Sequence, residues 1–101
     1  MAYEGASLDA NLAAAAGHDP ELVRELRKAF IESAERQIDL LARSRCDGNW
    51  EVAAMRLKGL AASFHADSLM ALAEEALDTV PGDPVILRRL NQLLADLAIE
   101  I

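Results

Sequence analysis

The sequence predicts an all-α protein, an up-down four-helix bundle preceded by a short N-terminal helix, in a single domain spanning residues 1–101. Alanine and leucine account for 36 of the 101 residues, and both lose little conformational freedom in a helix. Valine, isoleucine and threonine, which fit best on a pleated sheet, together number only 10. The hydrophobic content of 52% is typical of a folded chain, and this length forms a single core.

The first helix is predicted to be short. Ser7 or Asp9 can cap its N-terminus, because a side-chain oxygen at that position accepts hydrogen bonds from the first free backbone N–H groups. We expect this helix to run through Ala15 or Ala16 and to end before Gly17, the residue type most common after a helix C-terminus.

Two aspartate–proline pairs mark the starts of longer helices. Asp19–Pro20 and Asp83–Pro84 each place a capping carboxylate before a proline, which is well suited to the first helical position. The second helix is predicted from Pro20 to about Arg45, the third from near Asn49, and the last from Pro84. Periodicity alone leaves the junction of the third and fourth helices open, and we place it around residues 63–66.

Apolar residues recur at three- and four-residue spacing in each long segment, as expected for helices with one buried face. The short links between these helices favour antiparallel neighbours. The predicted core positions are Leu22, Leu26, Phe30, Ser33 or Ala34, Ile38 and Leu41; then Trp50, Ala53, Leu57, Leu60 and Phe64; then Leu69, Leu72, Ala76 and Leu77 or Val80; and finally Ile86 or Leu87, Leu90, Leu93 or Leu94, and Leu97.

Charge and cysteine content exclude several classes of function. The formal net charge of −7 argues against nucleic acid or an anionic membrane as partner, and it mildly opposes self-association, so we expect a monomer. The sequence has no apolar run long enough to span a membrane and no signal-peptide pattern, and its single cysteine cannot form an intrachain disulfide. A cytoplasmic location is expected.

The sequence has no zinc-ligand spacing, phosphate loop or catalytic triad pattern, so we expect no metal, no cofactor and no enzyme.

One face of the third helix is unusual. At 100° per residue, Glu51, Met55, Lys58 and Ala62 lie on the side away from the core, with Arg56 and Gly59 beside them. Glycine inside a helix costs about 1 kcal/mol relative to alanine, which suggests that another molecule approaches the backbone closely there. A solvated face with an incidental methionine would also account for this pattern.

The stretch from Ala53 to Ala66 resembles the signature of the histidine-containing phosphotransfer (HPt) domain. That family's motif reads His-x-Leu-Lys-Gly, followed after five residues by Gly-Ala and then by Leu-x-x-Leu. The matching residues in this chain are Leu57, Lys58, Gly59, Ala66, Leu69 and Leu72. The pair Asn49–Trp50 resembles the acidic residue and tryptophan that usually begin the segment before the active helix in this family. The resemblance spans almost the whole chain and implies a four-helix bundle in phosphorelay signalling.

Two departures from the motif concern its chemistry. The phosphoryl-accepting histidine of the family falls on Met55, and the glycine of its Gly-Ala pair falls on His65. A thioether has no nucleophilic nitrogen and cannot carry a phosphoryl group. By resemblance, Lys58 would supply the positive charge beside the phosphoryl site, Gly59 would keep the surface open for a partner, and Arg56 would add a second cation.

The resemblance implies a module that docks response-regulator receiver domains without phosphotransfer at the usual position. A hybrid histidine kinase is a further candidate partner. The residues expected to form this docking face are Met55, Arg56, Lys58, Gly59, Ala62 and His65.

Two alternatives remain open. In one, His65 lies across the helical hairpin from Met55 and has become the phosphoryl acceptor; a purely structural role for His65, capping or packing at the start of the fourth helix, competes with this idea. In the other, the chain is a structural helical bundle that self-associates through an apolar face.

Overall fold

The computed structural model describes residues 4–99, with side chains described for residues 8–98. This part of the chain is all-helical and contains no strand. Its five helices are α1 Glu4–Ala15, α2 Pro20–Arg43, α3 Asp47–Ser63, α4 Asp67–Leu77 and α5 Pro84–Ile99. The predicted all-α class and the junction around residues 63–66 are confirmed.

Two aspartate side chains cap the helices that begin with proline, as predicted. The Asp19 carboxylate accepts hydrogen bonds from the backbone N–H groups of residues 21 and 22 at 3.0 and 3.4 Å. The Asp83 carboxylate does the same for residues 85 and 86 at 2.9 and 3.4 Å. Both carboxylates therefore satisfy N–H groups that have no partner inside the helix.

One predicted boundary is wrong, and two others lie two residues from their predicted places. The first helix begins at Glu4, so Ser7 and Asp9 lie inside it rather than at its cap. Asp9 pairs instead with Arg27 of α2, a tertiary contact that the local pattern does not show. The second helix ends at Arg43, where Ser44 turns to extended backbone, and α3 begins two residues before Asn49.

Contacts between helix ends show that α3 runs antiparallel to α4, and α2 antiparallel to α5. The Phe30 ring in the middle of α2 and the Phe64 ring just after α3 lie 4.9 Å apart. The Trp50 indole near the start of α3 donates a hydrogen bond of 2.7 Å to the carbonyl of Ala76 near the end of α4. Arg27 of α2 donates to the carbonyl of Leu97 near the end of α5 at 2.5 Å. Helix α1 packs against α2 and α5.

The buried apolar side chains of the described residues form one continuous core, to which all five helices contribute. Most predicted core positions are confirmed. Leu22 is wrong, since its side chain is 39% exposed, and Val80 is exposed as well, beyond the end of α4. Arg27 is 3% exposed and takes a core position that the apolar pattern leaves out.

None of the helices in the described part of the chain is long and apolar enough to cross a membrane. Within the same residues, no group of three or more histidine, cysteine, aspartate or glutamate side chains is placed to hold a metal ion.

Candidate functional site

An exposed stripe of small and apolar residues runs along α3. It consists of Val52, Met55, Gly59 and Ala62, all exposed, and we call it the α3 stripe. The Met55 side chain is 56% exposed and that of Val52 is 49% exposed. Their spacing of three and four residues places all four on one side of the helix. The predicted exposure of Met55 is confirmed, whereas Val52 is a member that sequence analysis missed.

A groove between α2 and α3 continues the apolar surface of the stripe. The groove has a volume of about 450 Å³ and is lined by Leu40, Arg43, Ser44, Asn49, Val52, Ala53 and Arg56. Leu40 is 42% exposed although it lies on a long amphipathic helix. Leu40 and Val52 therefore present apolar side chains from two neighbouring helices, and two arginines line the same groove.

Positive side chains flank the α3 stripe on both sides. Lys58 lies on the α4 side, where its Nζ is 3.6 Å from a carboxylate oxygen of Glu74. Arg56 lies on the α2 side, in the groove with Arg43, which pairs with Asp39 at 2.5 Å. Exposed pairs of this kind contribute at most about 1 kcal/mol, so these cations can exchange partners at low cost. The arrangement suits a partner with an apolar patch and acidic groups at its rim.

Gly59 has no packing role among the residues that the structure describes. A Cβ atom built at this position meets no other atom within 4 Å, apart from the backbone of its own helix. The hydroxyl of Ser63 donates to the Gly59 carbonyl at 2.9 Å, which any residue would allow. Alanine would thus fit and would favour the helix by about 1 kcal/mol. No contact within the described structure offsets the helix stability that this glycine costs.

His65 lies in the turn between α3 and α4 and closes the C-terminus of α3. Its φ of +55° places it in the left-handed region. Its N–H donates to the Ala62 carbonyl at 3.2 Å, and the N–H of Ala66 donates to the Ala61 carbonyl at 2.9 Å. These two bonds form a Schellman motif, in which the position of His65 is usually glycine.

The expectation that His65 and Met55 face each other across the hairpin is wrong. Met55 lies eight residues before the end of α3, which corresponds to about 12 Å along the helix axis. His65 follows that end, and the antiparallel partner at the level of the stripe is instead the Glu74 region of α4. The structure brings together Met55, Arg56, Lys58, Gly59 and Ala62, but not His65. A phosphoryl acceptor at His65 would therefore lie away from the Met55 position, and the structure does not favour such a relocation.

Replacing His65 with glycine is expected to raise the free energy of unfolding by about 1 kcal/mol, because a residue with a Cβ is strained at this φ. For a chain of this size the gain corresponds to a rise in Tm of about 4–8 °C. Thermal unfolding followed by circular dichroism measures the change. His65→Ala is the matched control, since it removes the imidazole and keeps the Cβ. Equal stabilisation by both changes would refute the strain explanation.

Comparisons of the chain with protein-family models, with curated proteins and with solved structures gave no match. The relation to phosphotransfer domains therefore stays a prediction from the motif around residues 53–72.

Proposed function

We propose that this chain is an HPt-like four-helix bundle with a short N-terminal helix, and that it docks receiver domains of response regulators without carrying phosphate on α3. The α3 stripe, the adjoining groove with Leu40, and the flanking Arg56 and Lys58 form the docking face. The motif resemblance supports the class of partner. Met55 in place of the acceptor histidine supports binding without transfer at that position.

The open Gly59 is the observation that carries the proposal. A glycine that costs helix stability, and whose removal would disturb no internal contact, is explained by the close approach of another molecule. Met55 and Val52 beside it offer an adaptable apolar contact, since a methionine side chain adjusts its shape to the surface it meets. The cations on either side would pair at short range with acidic groups at the rim of a partner docked on this face.

Two substitutions at Gly59 separate folding from docking. Gly59→Ala is expected to raise the free energy of unfolding by about 0.5–1 kcal/mol. Gly59→Gln is expected to weaken receiver binding by at least about tenfold, equivalent to about 1.4 kcal/mol, because its side chain projects into the interface. Purified receiver domains from the source organism, titrated in a calorimeter, provide the measurement.

The matched control is Ala95→Gln, which places the same side chain on an exposed position of α5. This variant should bind receivers as the parent chain does. Equal weakening by both glutamine variants would contradict the assignment of the face. A stable dimer in light scattering, with no affinity for any receiver, would instead favour the self-associating bundle.

A further inference from the structure

Helix α1 and the end of α3 enclose an apolar hollow that the proposed function does not use. Its volume is about 360 Å³, within the range of small-molecule sites. Its apolar lining comes from Leu12 and Ala15 of α1, Leu26 of α2 and Phe64 after α3. The hollow is large enough for an aromatic ring or a short alkyl chain.

A second hollow, mostly polar and of about 420 Å³, adjoins the first. It is lined by Ala10, Asn11, His65 and Asp67. Asn11 and His65 line both hollows, so these two side chains stand where the apolar and polar spaces meet. The Asn11 amide N–H donates to the His65 carbonyl at 3.5 Å, which ties the amide group to the turn after α3.

The strained backbone of His65 is a separate observation at the same place. Strained backbone conformations at non-glycine residues cluster at ligand sites, where the surrounding structure holds them. Here the φ of +55° is held by the Schellman bonds that close α3. The consequence is that His65, which lines both hollows, is held at a backbone position where glycine would meet no strain.

We propose that the paired hollows bind a small primary amine carrying an aromatic or alkyl group. The apolar group packs against Leu26 and Phe64. The ammonium lies in the polar hollow, where Asp67 supplies the negative charge and the Asn11 amide oxygen accepts a hydrogen bond. Asp67 is the one carboxylate among the residues lining this hollow, and the chain's net charge of −7 favours cations over anions.

This inference goes beyond the proposed docking function and is independent of it. The two hollows share no lining residue with the α3 stripe or the α2–α3 groove. Binding of an amine can therefore succeed or fail whatever the outcome with receiver domains.

Two probes of nearly the same shape and opposite charge test the proposal. Phenethylammonium and 3-phenylpropionate are titrated separately into the ¹⁵N-labelled full chain, and amide shifts are recorded by NMR. We expect saturable shifts at residues 10–15 and 63–67 for phenethylammonium, with a Kd on the order of 1 mM, as for other small fragments. Phenylpropionate should bind at least tenfold more weakly.

Matched variants test which carboxylate binds the ammonium group of the probe. Asp67→Asn is expected to weaken phenethylammonium binding about tenfold. Asp47→Asn, which changes the first-turn aspartate of α3 in the same way, should have no effect. Ala15→Leu, which fills the apolar hollow from an exposed helix position, should abolish binding of the probe.

Three results would overturn the proposal. Equal binding of both probes would show that the head group is not recognised. Shifts confined to the acidic groove between α4 and α5, lined by Glu74, Glu75, Asp78 and Asp96, would show general attraction of cations. Absence of shifts for either probe in the correctly folded chain would show that the hollows do not bind.

Discussion

Met55→His is expected to turn this chain into an acceptor of phosphoryl groups from phosphorylated receiver domains. The Met55 side chain is 56% exposed in the middle of α3, so an imidazole there would be accessible. Its nitrogen would attack the phosphorus of the receiver's aspartyl phosphate. The N–P bond forms while the acyl phosphate P–O bond breaks, and the receiver carboxylate leaves. Lys58 on the same helix would offset negative charge at the phosphoryl group.

The expected gain is a large one. Incubation with radiolabelled receivers should label Met55→His at least about 100-fold faster than the parent chain, the lower range of what a positioned catalytic side chain contributes. The label should be acid-labile and stable to base, as phosphohistidine is. Met55→Gln, which is similar in size and has no nucleophile, should stay at background.

An added histidine elsewhere controls for non-specific labelling. Ala95→His places an imidazole on an exposed position of α5 and should remain unlabelled. A Met55→His chain that is folded, yet stays unlabelled by every receiver that binds it, would contradict the HPt-like proposal. Label on the parent chain that disappears in His65→Ala would instead identify His65 as the acceptor.

Asp9→Ala is expected to lower the free energy of unfolding by about 3 kcal/mol. Asp9 pairs with the guanidinium of Arg27, which is 3% exposed and also donates to the carbonyl of Leu97. Loss of the carboxylate leaves a buried cation without this counter-charge, which costs about 3–5 kcal/mol in well-buried pairs. The lower end applies because Asp9 itself is 46% exposed.

Arg27→Met tests whether the buried charge causes this cost, because it removes the charge together with the need for a counter-ion. We expect its stability to lie within about 1 kcal/mol of the parent chain. Asp39→Ala is the matched control, since it breaks the exposed pair with Arg43 and gains the same helix propensity. Urea unfolding followed by circular dichroism gives all three values. A cost for Asp9→Ala no larger than that for Asp39→Ala would show that the pair contributes little.

Local signals in the sequence predict the helices well where backbone and neighbouring side chains decide the structure. The capping carboxylates of Asp19 and Asp83 act on N–H groups two and three residues away, so their role is visible in a short window. Gly17 ends α1 for a similarly local reason, with a φ of +67°. Asp9, by contrast, bonds to Arg27, 18 positions away, and a contact of that range is not visible in a short window.

The candidate site was only partly predictable for the same reason. Helical periodicity alone placed Met55 and Gly59 on the outer side of α3. Leu40 joins the surface through the packing of α2 against α3, and no spacing within either helix shows this. The separation of His65 from Met55 follows from the length of α3, which continues unbroken to Ser63. Val52 could have been found, since it lies three residues before Met55 on the same helical face.

The helical class, most helix boundaries, most of the core and the exposed methionine can be predicted from the sequence, because these depend on the propensities and periodicity of neighbouring residues. Three further features become visible only when the helices are packed together: Arg27 is buried, His65 is a strained turn residue beside two hollows, and Leu40 extends the α3 stripe. Each of these depends on which helices pack together and at what level along their axes. The level at which two helices meet is set by the apolar surface that the whole core buries, and no single segment of the sequence encodes it.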